Sequence, residues 1–278
     1  MVSMNRLPIE KRAQIIGLMV EGMSIRAISR VTGASKNTIV KLLADVGDAC
    51  SKYQDEHLRN LKCKRLQLDE IWSFVAMKQA QVPADLKGTP GIGDTWTWVA
   101  LDADTKLVAS YMVADRSRGA AQLFVRDLAS RLANQVQITT DGYRAYIDAI
   151  DKGFGSVDYA ILTKLYDDVV PEGRQRRYSP AVVTGTKKEV VFGDPDKDHI
   201  STSYVERQNL TMRMGMRRFT RLTNAFSKKI ENHIHAISLY FMHYNFARIH
   251  QTLRVPPAME AGVSDHVWSL EEIANLST

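Results

Sequence analysis

Cysteine is nearly absent from the 278 residues: Cys50 and Cys63 are the only two, and they form no CxxC pair. That excludes a disulfide framework, argues against a zinc ribbon and makes a reducing cytoplasm the expected compartment. Long hydrophobic runs are missing as well. No stretch of about 18 apolar residues occurs, so no transmembrane helix and no membrane partner are expected. Residues 1–18 hold no uninterrupted apolar core followed by a small-residue cleavage site, so no secretory signal is expected there. What is present is a globular composition, 45% hydrophobic, which excludes a disordered chain. The length suits one large domain with a small one, or two medium domains.

Charge of one sign is scarce overall, the net being +6 from 37 basic and 31 acidic residues, but it is unevenly spread. Residues 1–66 carry a net +6 and residues 206–254 a net +7, whereas residues 67–172 carry −5, residues 173–205 carry +2 and residues 255–278 carry −4. Either basic segment alone would read as ordinary solvated surface. Two of them around an acidic centre fit polyanion contacts at both ends and a need for cations between.

In the first basic segment Ile9, Ala13, Ile16, Val20 and Met23 recur at helical spacing, with Gly22 as a stop. Ser24 caps a second short helix through Ile25, Ala27, Ile28 and Val31. Gly33 permits a tight turn, and Ser35 caps a third helix whose buried face is Ile39, Leu42 and Leu43. These lengths match a helix-turn-helix. Its recognition turn would present Ser35, Lys36, Asn37 and Thr38, with Lys41 one turn later, to base edges and phosphates of double-stranded DNA. A small helical bundle without DNA contacts is the bland alternative. Residues 50–66 read as a connecting helix or linker, so the domains expected are 1–60 and 61–254, with an acidic tail at 255–278 that packs or contacts another protomer.

The catalytic part reads as an α/β sheet of mixed direction. Strands are expected at 65–77, 95–102 and 107–113 as an antiparallel meander, then a helix at 120–133, a strand at 136–140, a helix at 143–150 and a strand at 159–163. Asp69 falls inside the first strand, and Asp141, followed by Gly142, falls just past the fourth, where ligand sites of α/β sheets gather. Alternation sends Glu70 to the opposite face from Asp69. Asp102 also ends a strand, but its setting is less favourable than that of Asp141. A loop-rich insertion is expected at about 167–198.

From Ser203 the helical register puts Glu206, Asn209 or Leu210, Arg213 and Arg217 along one stripe. Ser203 and Glu206 could form no more than a capping box. A glutamate followed by repeated arginines also suits a site that holds a metal and a phosphate backbone together. Two aspartates and a glutamate converging on one point would not all stay ionised without a cation. Oxygen ligands select Mg2+ or Mn2+, and a pair of such ions supports in-line attack at phosphorus. His233, His235, His243 and His250 lie without nearby acids and read as packing or surface residues. Asn245, Arg248 and His250 are weaker candidates for DNA contact.

The blocks Leu68-Asp69-Glu70-Ile-Trp72-Ser-Phe-Val75, Trp98-Val-Ala-Leu-Asp102, Thr140-Asp141-Gly142-Tyr143 and Tyr204-Val-Glu206-Arg207-Gln-Asn209-Leu210-Thr211-Met-Arg213 together resemble bacterial insertion-sequence transposases of the type named after the first insertion sequence. The likeness continues through Arg217-Arg218-Phe-Thr-Arg221 and covers most of 66–250. It implies a ribonuclease-H-like catalytic domain with the triad Asp69, Asp141 and Glu206 as catalytic metal ligands, two bound Mg2+ or Mn2+ ions, and Arg213 near the DNA. Arg207, Asn209, Arg217 and Arg218 join it as expected DNA contacts. A nucleoid-associated enzyme that cuts and joins element ends and target DNA is therefore expected, as a homodimer or larger assembly because two ends must be held. The rival is a catalytically silent helix-turn-helix regulator derived from one. Many members carry a cysteine-rich zinc motif before the helix-turn-helix; here the expectation is either that end recognition rests on the helices alone or that the chain is shorter than the functional form.

Overall fold

The computed structural model describes residues 6–166, 183–220 and 224–278. All three predicted N-terminal helices form: α1 (Ile9–Val20), α2 (Ile25–Thr32) and α3 (Lys36–His57). The Ser24 hydroxyl accepts from the Ala27 N–H at 3.2 Å and the Ser35 hydroxyl from the Thr38 N–H at 3.1 Å, which satisfies donors the helices cannot satisfy themselves. Gly33, at φ 71°, ends α2 in the left-handed conformation that favours glycine. Residues 50–57, read as connecting helix or linker, continue α3 because Cys50 and Gln54 are buried.

Six strands follow: β1 (Arg65–Val75), β2 (Gly93–Asp102), β3 (Val108–Ala114), β4 (Gln137–Thr140), β5 (Asp158–Tyr166) and β6 (Val183–Phe192). Among the described residues they make one sheet in the order β3-β2-β1-β4-β5-β6. The first three are the expected antiparallel meander, and β1, β4 and β5 run parallel. Helices α4 (Arg118–Arg131) and α5 (Ala145–Gly153) lie between strands as expected. The expected loop-rich stretch needs correction over 183–192. It is a strand antiparallel to β5, and its side chains are mostly exposed, so no buried alternation marks it in the sequence. The rest of the basic run there, Arg174 to Arg177, lies outside the described residues.

Alternation along β1 divides the core. Leu66 and Leu68 join Trp98, Phe124, Leu128 and Tyr146 on the α4–α5 side. Ile71 joins Val99, Val205, Met212 and Ile237 on the other side, where α6 (Ser203–Gly215) and α7 (Ile230–Met242) pack. The N-terminal helices share the first of these clusters through Ile15, Ile39, Leu43 and Val46. Gly47 allows the closest approach: a Cβ there would stand 2.5 Å from the Cβ of His235 on α7. The acidic tail forms α8 (Pro257–Glu260) and α9 (Leu270–Asn275), and Arg12 of α1 donates to the Ser277 hydroxyl at 2.6 Å. No helix among the described residues is long and apolar enough to cross a membrane.

What positions the site is a mismatch of strand lengths. β4 pairs only with Arg65–Leu68, so β1 runs on past it. On that side β1 next meets another segment at Val75, which forms an isolated bridge with Ser227.

Candidate active site

Leu68 pairs with Thr140 in the β1–β4 register, which puts Asp69 and Asp141, the next residue of each, side by side where β4 stops. Asp69 accepts from its neighbour's amide, Glu70 N–H, at 2.9 Å, and from the Asn209 side-chain amide of α6 at 2.9 Å. Asp141 accepts from the Tyr143 N–H at 2.9 Å, and the Arg116 guanidinium lies 3.8 Å away. Arg116 is closer to Glu70, at 3.2 Å. It also lies 4.1 Å from the ring centre of Tyr143 and 4.8 Å from that of Trp96.

Glu70 does turn to the α5 side, beside Tyr146, as alternation predicts, yet it is not separated from the aspartates. One carboxylate oxygen from each of Asp69, Glu70 and Asp141 lies within 4.8 Å of the others. With no strand on the β4 side of β1 at this level, the longer glutamate side chain reaches the shared edge. Burial, reinforced by Asp141 and Glu206, pushes Asp69 up to about 6 against the opposing hydrogen bonds from Glu70 N–H and Asn209. Burial likewise pushes Glu70 up to about 7, with Tyr146 and Arg116 opposing it. A set of oxygen donors this crowded and this reluctant to ionise together fits a hard divalent cation.

Glu206 sits in the first turn of α6 and is not a member of that cluster. Lys164 of β5 forms an ion pair with one of its oxygens, and the Thr202 hydroxyl donates to the other at 2.7 Å. The alternative of a capping box with Ser203 does not form: Thr202 is the N-cap, and its hydroxyl goes to the Glu206 side chain. Lys164, Arg116 and Thr202 were invisible to sequence reasoning. Lys164 meets Glu206 across 42 residues, and no local pattern announces the pair.

Ser35, Lys36, Asn37, Thr38 and Lys41 are all exposed at the start of α3, with Lys41 paired to Asp45 at 2.9 Å. Arg207 and Arg217 are exposed and Arg213 is half-buried. Two of the residues expected to contact DNA have partners within the protein. Asn209 is buried and spends its amide on Asp69, because its helical position faces β1 rather than solvent. Arg218, half-buried, donates to the Ser227 hydroxyl at 2.6 Å, and loss of solvent around the guanidinium pulls it down to about 10. Asn245 is also structural: its side chain pairs with both backbone groups of Val108, each at 3.0 Å. His233 is buried between Ser73 and Ser227, as a packing residue should be. Asp102 closes its own turn by accepting from Thr105 at 2.6 Å.

The sequence matches no protein-family model and no curated protein. Among solved structures the chain is similar to the Mos1 mariner paired end complex with Mn, at 13% identity and TM-score 0.23, over 56% of this chain and 61% of that one. It is similar also to the Mos1 strand transfer complex, at 13% identity and TM-score 0.22, over 55% and 57%. The chain thus spans about three fifths of the length of the structures it matches. A likeness of that degree carries no weight, and the function has to be argued from the residues themselves.

Proposed function

We propose that the protein is a DNA transposase with a ribonuclease-H-like catalytic domain, whose Asp69, Asp141 and Glu206 hold two Mg2+ or Mn2+ ions and whose α1–α3 unit is a helix-turn-helix for the element ends. The observation that supports this most is the side-by-side placement of Asp69 and Asp141 where β4 stops, with the helix that carries Glu206 packed against the same strand. Bound there, the cations would activate a water or a 3′-hydroxyl and neutralise charge on the phosphorus oxygens.

The chain's own residues have distinct tasks in this reading. Asn209 orients Asp69 by donating to one oxygen and leaves the other to the Glu70 amide. The Tyr143 amide orients Asp141 in the same way. Lys164 and Thr202 hold Glu206 until it is needed as a ligand, so recruiting it costs an ion pair and a hydrogen bond. The exposed Arg207 and Arg217 meet phosphates, as do Lys36 and Lys41, while Ser35, Asn37 and Thr38 face base edges. Holding two ends calls for a homodimer or larger assembly, working in the cytoplasm on the nucleoid.

The test uses purified protein, Mg2+ and labelled DNA ends taken from the sequence flanking the gene. Cleavage or strand transfer by the wild type, lost in Asp141→Asn while duplex binding persists, is the expected result. If Asp141→Asn cuts as well as the wild type, the catalytic reading is wrong. Duplex binding with no cleavage by either protein would favour the regulator.

A further inference from the structure

Glu70, Trp72 and Phe74 follow one another along one face of β1, and Trp72 stands directly opposite Trp96 of β2 in the antiparallel register. This face begins at the acid cluster and continues into the part of β1 that has outrun β4. Trp72 and Trp96 are half-buried there rather than sealed under a helix, unlike Trp98 one step further along the same face, which is fully buried. Phe74 lies 5.7 Å from Trp72 and 4.9 Å from Phe226, centre to centre, so the rings form a row.

The row is interleaved with cations. Arg116 lies over Trp96 at 4.8 Å, Lys78 over Phe74 at 5.9 Å and Lys228 over Phe226 at 3.8 Å, and both lysines are exposed. The far end is firmly built. Ser227, next to Phe226, is fastened to β1 by the Ala76 N–H at 2.8 Å and is gripped by Arg218 at 2.6 Å and His233 at 2.9 Å. His233 in turn meets Ser73 of β1 at 3.1 Å. A packing explanation accounts for Phe74 and for Trp96, which packs against the main core, but not for the half-exposed Trp72 with exposed cations over the neighbouring rings.

We infer that this row is a binding site for unpaired nucleotides of a DNA strand, immediately beside the acid cluster. The half-exposed ring of Trp72 offers a stacking face that any base accepts, and the exposed Lys78 and Lys228 beyond it match the phosphates between bases. Bases inside a duplex keep their faces covered, so the site selects opened strand over double helix. Placing those nucleotides next to a scissile phosphate rests on the transposase reading; the binding itself needs neither metal nor catalysis.

The experiment titrates the intact protein, in EDTA, with an oligothymidylate of about a dozen nucleotides, following tryptophan fluorescence and anisotropy. Quenching of tryptophan emission is expected. Trp72→Ala should weaken binding about tenfold and Trp72→Phe by no more than about twofold, in line with stacking on a ring. Lys228→Ala should flatten the salt dependence by about 0.7 of a unit in the logarithmic slope. Duplex binding should be untouched by Trp72→Ala and weakened by Lys36→Ala. Unchanged oligothymidylate affinity in Trp72→Ala, with circular dichroism showing both variants folded, overturns the inference, as does absence of quenching in the wild type. The two readings fail separately. Cleavage by Asp141→Asn at the wild-type rate alongside intact quenching would remove the catalytic reading alone, and normal catalysis without quenching would remove the nucleotide site alone.

Discussion

Asp69 and Asp141, carried by the sheet, stand together with amide donors as their nearest partners, while Glu206, carried by a helix, is met by a lysine and a hydroxyl. The first pair is short of positive charge: Arg116 reaches Asp141 only at 3.8 Å, and Asp69 is pushed up to about 6 by burial and by Asp141. Glu206 has its charge balanced already. In the proposed reading the sheet would supply a pair of ligands that gains from a cation, and the helix a third whose entry would have to compete with Lys164. On that reading a first ion would meet the sheet pair as it stands, and the complete ligand set would form only when the Lys164–Glu206 ion pair opens.

The largest effect should come from the sheet pair. Asp141→Asn is expected to lower Mg2+-dependent strand cleavage by about a hundred- to a thousandfold, the range seen when one charge-stabilising group is removed, in a gel assay on labelled ends. Asp69→Asn should match it. A loss confined to Glu206 variants would break the comparison.

Next in size is the competition at Glu206. Lys164→Gln frees the glutamate, so the Mg2+ concentration giving half-maximal cleavage should fall by about two- to fivefold, the worth of a partly exposed ion pair. A rise instead would mean that Lys164 assists the reaction directly.

Stability should change in opposite directions for the two kinds of acid. In metal-free protein Asp69 titrates near 6, above the ordinary value of about 3.9 that it keeps in the unfolded chain. Between those values the folded state binds more protons, so stability falls as pH rises through the window, and the penalty is complete above about 6. Asp69→Asn should then raise the Tm by about 2–4 °C at roughly pH 8, for each kcal/mol of relief, and by nothing near pH 4. Glu206→Gln should lower it at the alkaline pH, by at most about 4 °C, because it breaks the pair with Lys164. Thermal melts in EDTA at the two pH values decide both. The smallest expected effect is the coupling itself: the double variant Lys164→Gln with Glu206→Gln should show about 0.2–1 kcal/mol of non-additivity in urea melts. Simple additivity would show that the ion pair contributes nothing in solution.

Much of the architecture could be read from local pattern. The caps at Ser24 and Ser35, the left-handed turn at Gly33 and the alternation along β1 to β3 act over a few residues, and each predicted element formed close to its expected bounds. β6 escaped because its exposed side chains leave no hydrophobic period, and its place is set by the edge of β5. The adjacency of Asp69 and Asp141 follows from their strand positions. A helical stripe of polar residues does not say which of them faces the sheet: Asn209 turns inward to Asp69, and Arg218, beyond the helix, turns to Ser227. Glu70 was assigned its correct face and still misjudged, since strand alternation presumes a neighbour on both sides and β4 ends too soon to provide one.

The sequence by itself determined which residues are acidic, where the helices begin and which segments form strands. Those outcomes depend on backbone sterics, capping and hydrophobic period, all of which operate over neighbouring residues. Only the tertiary structure decided that Glu70 joins the aspartates, that Lys164 takes Glu206, and that Trp72 and Trp96 stay half-exposed beside them. Such pairings depend on distances between segments tens of residues apart. A charge's partner is set by where the chain returns, and local pattern carries no record of that.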